Sequence, residues 1–301
     1  MAQNTIPPMK KVHQIAEEAA KRLAEEAAKS AEQTKPEQMP LWADWERAMP
    51  TAISRSALFA PIARGRRKRH VDAVIDSRKD VSLTYTGEQF DMSDADVFMQ
   101  ALEMAKRHPL GSRFTVKRSQ MLEAIDRTYS STSKNGTVRK SVIGKGDYEW
   151  LDSSMKRLKE GSLTFAFPGN FKRKGRGGVF NPLHDLLWDN ESDSYEISIS
   201  PEISKLFESF SRIYLEKHLA LPKADQLAKW MHLYIAGCAK GEVTKIGLDH
   251  LRDYSGNKHR RMDHFAASME RALLSLEAVG IIDHGWFIRG NDRMLSFTRI
   301  A

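Results

Sequence analysis

Twice in this chain an amphipathic helix runs through one glycine straight into a strand, in "SMKRLKEGSLTF" (154–165) and in "LLSLEAVGIIDH" (273–284). Each junction sits within the same order of elements, and that order limits the fold more than any other feature. In the downstream copy "DQLAKWMHLYIAGCAK" predicts a first helix with Leu227, Met231, Tyr234, Ile235 and Cys238 inward. "EVTKI" predicts a short strand, "GLDHLRDYSG" a short helix, and Ser255-Gly256-Asn257 a tight turn. A long helix over 258–280 follows. "IIDHGWFIRG" and "MLSFTRI" then read as strands joined at Gly290-Asn291-Asp292, a hairpin turn sequence.

The upstream copy begins with "DMSDADVFMQALEMAKRHP", a helix capped by Asp or Ser whose buried face is Val97, Ala101, Met104 and Ala105. "RFTVKR" predicts a strand, and "SQMLEAIDRTY" a helix with Met121, Leu122, Ile125 and Tyr129 as its apolar set. After a polar loop, "DYEWLDSSMKRLKEG" places Tyr148, Leu151, Met155 and Leu158 at i, i+3, i+7 and i+10. "SLTFAF" and "SYEISIS" predict the two strands of a wing around the loop "GNFKRKGRGG". Further upstream, "DAVIDSRKDVSLTYTGEQF" reads as two extended segments. Element order repeats while residue identity does not, which predicts two related domains in tandem. Helix, short turn, helix and β-wing form the winged variant of the helix-turn-helix. The predicted fold class is α+β, with two tandem winged-helix domains preceded by an exposed N-terminal helix. Residues 1–40 form an Ala/Glu/Lys-rich helical tail and linker, 41–200 the first winged helix, and 201–301 the second.

Charge indicates what such a fold meets. The chain of 301 residues carries 47 Lys and Arg against 39 Asp and Glu, a net +8. Only six of the cations, offset by five anions, fall in residues 1–35, so the basic character belongs to the folded part. A net positive surface attracts polyanions, and nucleic acid leads that class. In the stretch "KHRRMDHFAASMERALLSLEAVG" (258–280), Met262, Phe265, Met269, Leu273 and Leu276 advance along one face. Lys258, His259, Arg260, Arg261 and His264 crowd the first turns on other faces, with Arg271 further on. A recognition helix needs that division, because arginine pairs bidentately with guanine and lysine suits phosphate. The second domain is therefore the expected DNA reader.

In the first domain the equivalent helix offers Lys156, Arg157 and Lys159, near its C-terminal end. The glycine-rich wing loop offers Lys172, Arg173, Lys174 and Arg176, and an upstream patch offers Arg64, Arg66, Arg67, Lys68 and Arg69.

Enzyme chemistry finds little support. No phosphate-cradling G-x-x-x-x-G-K-[ST] occurs, the ten histidines are scattered, and the lone Cys238 reads as core. Neither a metal nor another cofactor is expected. Trp188, Trp230 and Trp286 read as core residues. One cysteine, no apolar signal core and no run of about 20 apolar residues predict a cytoplasmic protein without a membrane span.

"RAMPTAISRSALFAP" (47–61), "LTYTGEQFDMSDADVFMQALEMAKRHPLG" (83–111) and "EWLDSSMKRLKEG" (149–161) resemble the TrfA family of plasmid replication initiators. The resemblance covers roughly residues 40–301, leaving the N-terminal helix outside. It implies tandem winged helices that bind double-stranded DNA at directly repeated origin sites (iterons). It also implies opening of the adjacent duplex and recruitment of the host replicative helicase and initiator protein. Exchange between inactive dimers and active monomers is implied too, with 201–222 as the candidate self-interface. "QFDMS", with Gln89, Phe90, Asp91 and Met92, loosely matches the peptide that docks on bacterial sliding clamps. Its competing reading is a helix N-cap with a hydrophobic staple. The alternative function is a winged-helix transcriptional regulator that binds an operator without melting it.

Overall fold

A computed structural model describes residues 37–62, 67–132, 138–167, 177–258, 260–289 and 293–301, with backbone alone at 130–132 and 138–141. Gln38–Ala301 form one compact unit. The predicted N-terminal helix lies outside the described residues.

The chain opens with β1 (Glu46–Pro50), α1 (Thr51–Ser54), β2 (Phe59–Ala60), β3 (Arg69–Ile75), β4 (Ser82–Glu88) and β5 (Phe90–Asp91). The first predicted module follows as α2 (Met92–Ala105), β6 (Phe114–Lys117) and α3 (Arg118–Ala124). A hairpin, β7 (Tyr129–Thr132) and β8 (Val138–Val142), leads to α4 (Lys145–Glu160). Next come β9 (Ser162–Ala166), β10 (Gly177–Phe180), β11 (Leu183–Asp189) and β12 (Ser194–Ile199). A 3-10 turn at Pro201–Lys205, β13 (Phe210–Tyr214) and α5 (Leu215–Ala220) connect to the second module. That module is α6 (Gln226–Ala236), β14 (Val243–Gly247), α7 (Leu248–Tyr254), α8 (Met262–Ala278), β15 (Phe287–Arg289) and β16 (Met294–Thr298).

The two modules share one topology. In the first, β12 lies between β6 and β11 and runs antiparallel to both. In the second, β16 lies between β14 and β15 in the same sense. Each sheet follows a helix, strand, helix, helix order. Local chemistry explains the helices. Asp91 caps α2, its Oδ1 accepting from the Ser93 and Asp94 amides at 2.9 and 3.0 Å, while Asp94 accepts from the Asp91 amide at 3.0 Å. Leu151, Met155 and Leu158 of α4, and Phe265, Met269, Leu273 and Leu276 of α8, are fully buried. α8 ends before Gly280, whose φ of +69° is the left-handed conformation glycine adopts without strain.

Three sequence expectations are corrected. Strand β9 does not pair with β12; it joins the sheet β10-β9-β4-β3, where Leu163 and Phe165 are buried. The hairpin partner of β12 is β11, "LHDLLWD", a strand the sequence reading did not assign. Gly161, the first of the two junction glycines, is extended, with a φ of −70°. A Cβ there would come within 2.6 Å of the Tyr85 hydroxyl and 2.7 Å of the Phe90 ring, so close packing excludes a side chain. Lastly, Tyr129 starts β7 and is 50% exposed, and Trp188 near the end of β11 is 67% exposed. Trp230 is core as expected, and Cys238 is partly buried.

Strand β1 pairs antiparallel with β13, Glu46 opposite Tyr214 and Pro50 opposite Phe210. Within residues 201–222, Ile203, Leu206, Phe207 and Ile213 are buried inside the chain.

Candidate nucleic-acid interface

Helix α8 presents two contrasting rows outward. Residues seven apart lie almost above one another on a helix. Asp263, Glu270 and Glu277 make one such row; at its C-terminal end Glu277 accepts from the Trp286 indole and the His284 imidazole, in the segment that leads into β15. His264 and Arg271 make the other, continued by Arg260 just before the helix. That flank faces the start of α6, where the Ser275 hydroxyl donates to Asp225 at 3.2 Å.

The cations of this region are placed differently from one another. Arg261 pairs with Asp263 at 2.9 Å, both of them exposed, and the carboxylate holds the guanidinium pKa above its ordinary value. Exposed pairs of this kind are screened by solvent, so another anion can replace Asp263. Lys258 lies 3.5 Å from Asp76, and His264 is exposed. Arg260 and Arg271 both donate to the Ser268 hydroxyl, at 2.9 and 3.0 Å. His259 lies outside the described residues.

The first module departs from expectation. Arg157 and Arg67 are not presented to solvent. Both grip Asp94, whose side chain has no exposed surface, at 2.9 and 2.7 Å, and Arg67 also reaches Asp91 at 2.6 Å. The Ser154 hydroxyl adds a fourth contact to Asp94, at 2.6 Å. A buried carboxylate requires such compensation, so these two arginines hold the fold together. Lys156 remains exposed beside Glu160 at 3.8 Å, and Lys159 donates to the His184 carbonyl. Lys68 and Arg69 are exposed at the start of β3, with Arg69 opposite Glu88. Arg64, Arg66, Lys172, Arg173, Lys174 and Arg176 lie outside the described residues.

The clamp-like peptide is also built into the fold. Phe90 and Met92 are fully buried and Asp91 is the α2 cap, so the apolar side chains that docking needs are not at the surface. The N-cap reading is the one the geometry supports.

Two features had no sequence signal. Asp94 is the first. The second joins the two modules: Asp96 of α2 accepts from Lys229 of α6 at 2.6 Å and contacts His218 of α5 at 2.8 Å, and His218 Nδ1 lies 3.1 Å from His232 Nδ1. A cleft of about 850 Å³ opens beside this cluster, lined in part by Arg67, Arg127, Trp150, Arg157, Lys223 and Lys229. Each cation there has a carboxylate partner, Asp147 for Arg127 and Asp126 for Lys223. Among the described residues no group of three or more His, Cys, Asp or Glu is disposed to hold a metal ion. No described helix is long and apolar enough to cross a membrane.

Comparison with known proteins gives a consistent class. The family model described as TrfA protein matches residues 10–140. A curated plasmid replication initiator protein TrfA from Escherichia coli is 26% identical over 253 residues, which cover 81% of this chain and 60% of that protein. The crystal structure of domains 2 and 3 of RctB superposes with a TM-score of 0.50, covering 84% of this chain and 99% of that one at 9% identity. That last likeness concerns the fold alone. The class to which the sequence matches point is that of replication initiators. Within it, the two together support a TrfA-family replication initiator.

Proposed function

We propose that this chain initiates plasmid replication by binding directly repeated origin sites through two winged helices, α8 being the principal reader. The observation that carries the reading is the repeated topology, in which each module ends a helix pair with a helix followed by a hairpin, and α8 alone opens with clustered exposed cations. Two non-identical modules on one chain read an asymmetric site, which suits a direct repeat better than a palindrome. Binding of several copies would strain the DNA and favour opening of a neighbouring A/T-rich segment. Host helicase and initiator protein would then be recruited to the opened strand.

Footprinting on the replicon's origin tests this. Protection of arrayed direct repeats, with permanganate-reactive thymines alongside, is the expected result. Protection of a single operator without reactive thymines would instead establish a transcriptional regulator.

Base reading within the site rests on Arg261, whose only partner among the described residues is the exposed Asp263. Arg261→Ala should reduce discrimination between the cognate repeat and a scrambled duplex by about five- to 150-fold, the range for loss of one bidentate base contact. The melting temperature should not change, because the side chain is exposed. A fall in melting temperature with discrimination intact would show Arg261 to be structural.

A further inference from the structure

We infer that Arg260 and Arg271 form a two-guanidinium clamp for a single DNA backbone phosphate, preset by the Ser268 hydroxyl. The inference rests on the DNA-binding reading and goes beyond it, since it gives these two arginines a role distinct from base readout.

Both guanidiniums reach the same oxygen, Arg260 Nη2 at 2.9 Å and Arg271 Nη2 at 3.0 Å, so they lie close together. Among the described residues neither has a carboxylate partner, unlike Arg67 and Arg157. Two like charges held together repel unless an anion lies between them. Asp225, which also lines the groove, is engaged elsewhere: it accepts from the Ala228 amide at 3.0 Å and from the Ser275 hydroxyl at 3.2 Å. Each guanidinium has five N–H donors, so most of its hydrogen-bonding capacity remains after the contact to serine.

The surroundings select the ligand. The two arginines face a groove of about 480 Å³ that is also lined by Pro61, Ile62, Pro222, Gln226 and Asn257. Its openness admits a strand passing along the flank as well as a free ion. A guanine edge needs one extended arginine meeting a planar pair of acceptors. Here both side chains are folded back onto Ser268, itself nearly buried, and converge from two directions. A phosphodiester presents acceptors in several directions and takes two guanidiniums at once. The acidic row of Asp263, Glu270 and Glu277 on the opposite flank repels phosphate, which leaves the Arg260–Arg271 flank as the side along which a backbone can run. Anchoring to Ser268 orders both side chains before DNA arrives, so less entropy is lost on binding. Contacts of this kind fix register without reading sequence.

The test measures binding of the full chain to cognate and scrambled duplexes across a salt series, for the unaltered protein, Arg260→Gln, Arg271→Gln and the double variant. Each single change should weaken both duplexes alike, leaving their affinity ratio unchanged. The double variant should lower the slope of log affinity against log salt by about one in total, because one phosphate is lost. Thermal melts of each variant verify folding, and Arg271→Lys, which keeps the charge, should retain most of the slope. A changed cognate-to-scrambled ratio would make these base contacts, and a slope loss of about two would mean two separate phosphates; either overturns the clamp. Titration of the chain with inorganic phosphate at fixed ionic strength separates the two sources of anion. Saturable phosphate binding lost in the double variant, with duplex affinity unaffected, would assign the site to a free ion. Absence of salt-dependent duplex binding by the unaltered chain would overturn the DNA reading itself, and this site with it. Normal binding that neither substitution alters overturns the clamp alone.

Discussion

Replacing Asp96 by alanine is expected to lower the free energy of unfolding by about 3–5 kcal/mol, the range for a buried ion pair broken on one side. Asp96 is the only carboxylate in contact with Lys229 among the described residues, and the Lys229 side chain is buried. Without it an ammonium group remains in the interior with no counter-ion, and His218 loses the acceptor for its Nε2 proton. Chemical denaturation at neutral pH measures the loss. A change under 1 kcal/mol would mean that the second module moves to hydrate Lys229, which would make the junction soft.

The same cluster sets a pH dependence. Burial, the largest effect on Asp96, raises its pKa, yet Lys229 and His218 more than offset this and hold it below 3.8. Burial lowers His218, and burial together with the neighbouring His218 and Arg299 lowers His232 well below 6.5. Both imidazoles are thus neutral in the folded state at neutral pH, His218 Nδ1 accepting the His232 Nδ1 proton, an assignment that follows from their partners. Unfolding exposes them to water, where each takes up a proton near pH 6.5. Their contribution to stability is full above that value and is lost as pH falls through their lower folded values. Denaturation midpoints should therefore decline between about pH 7 and pH 5, before the exposed carboxylates titrate. A flat profile there would show that the imidazoles are already charged in the fold.

Asp94→Ala is the second large effect, about 3 kcal/mol, near the low end of the same range because Arg67 keeps Asp91 as a counter-ion. The variant removes contacts from Arg67, Ser154 and Arg157 together with half of the α2 capping box. Its companion Arg157→Met should lower the melting temperature while leaving duplex affinity per folded molecule unchanged. Affinity lost in proportion to charge would return Arg157 to the interface.

These effects mark where the sequence was legible. Phe265, Met269, Leu273 and Leu276 recur at helical spacing, and Asp91 precedes a run of helix formers. Both signals are complete within a few residues, and both elements formed as expected. Strand β9 could not be read the same way. Its alternation marks a half-buried strand, but the choice of β4 over β12 as partner depends on which apolar surfaces meet across some 80 residues of chain. Arg67 and Arg157 look like surface cations locally. Their partner Asp94 lies 27 and 63 positions away, and its carboxylate resembles an ordinary acid in a first helical turn. Trp188 misled in the opposite direction. A large aromatic suggests core wherever it stands, but Trp188 lies on β11, an edge strand that the sequence did not reveal, and is open to solvent.

The pairing of β1 with β13 bears on how the chain is made. Ala48 and Met49 of β1 are fully buried, yet their partners across the ladder are Arg212 and Ser211. During synthesis more than 150 residues must emerge before that strand finds its place. The part of the chain that packs on β1 therefore cannot finish folding until residues 210–214 have left the ribosome. It waits with an apolar edge uncovered, the condition in which nascent chains engage chaperones.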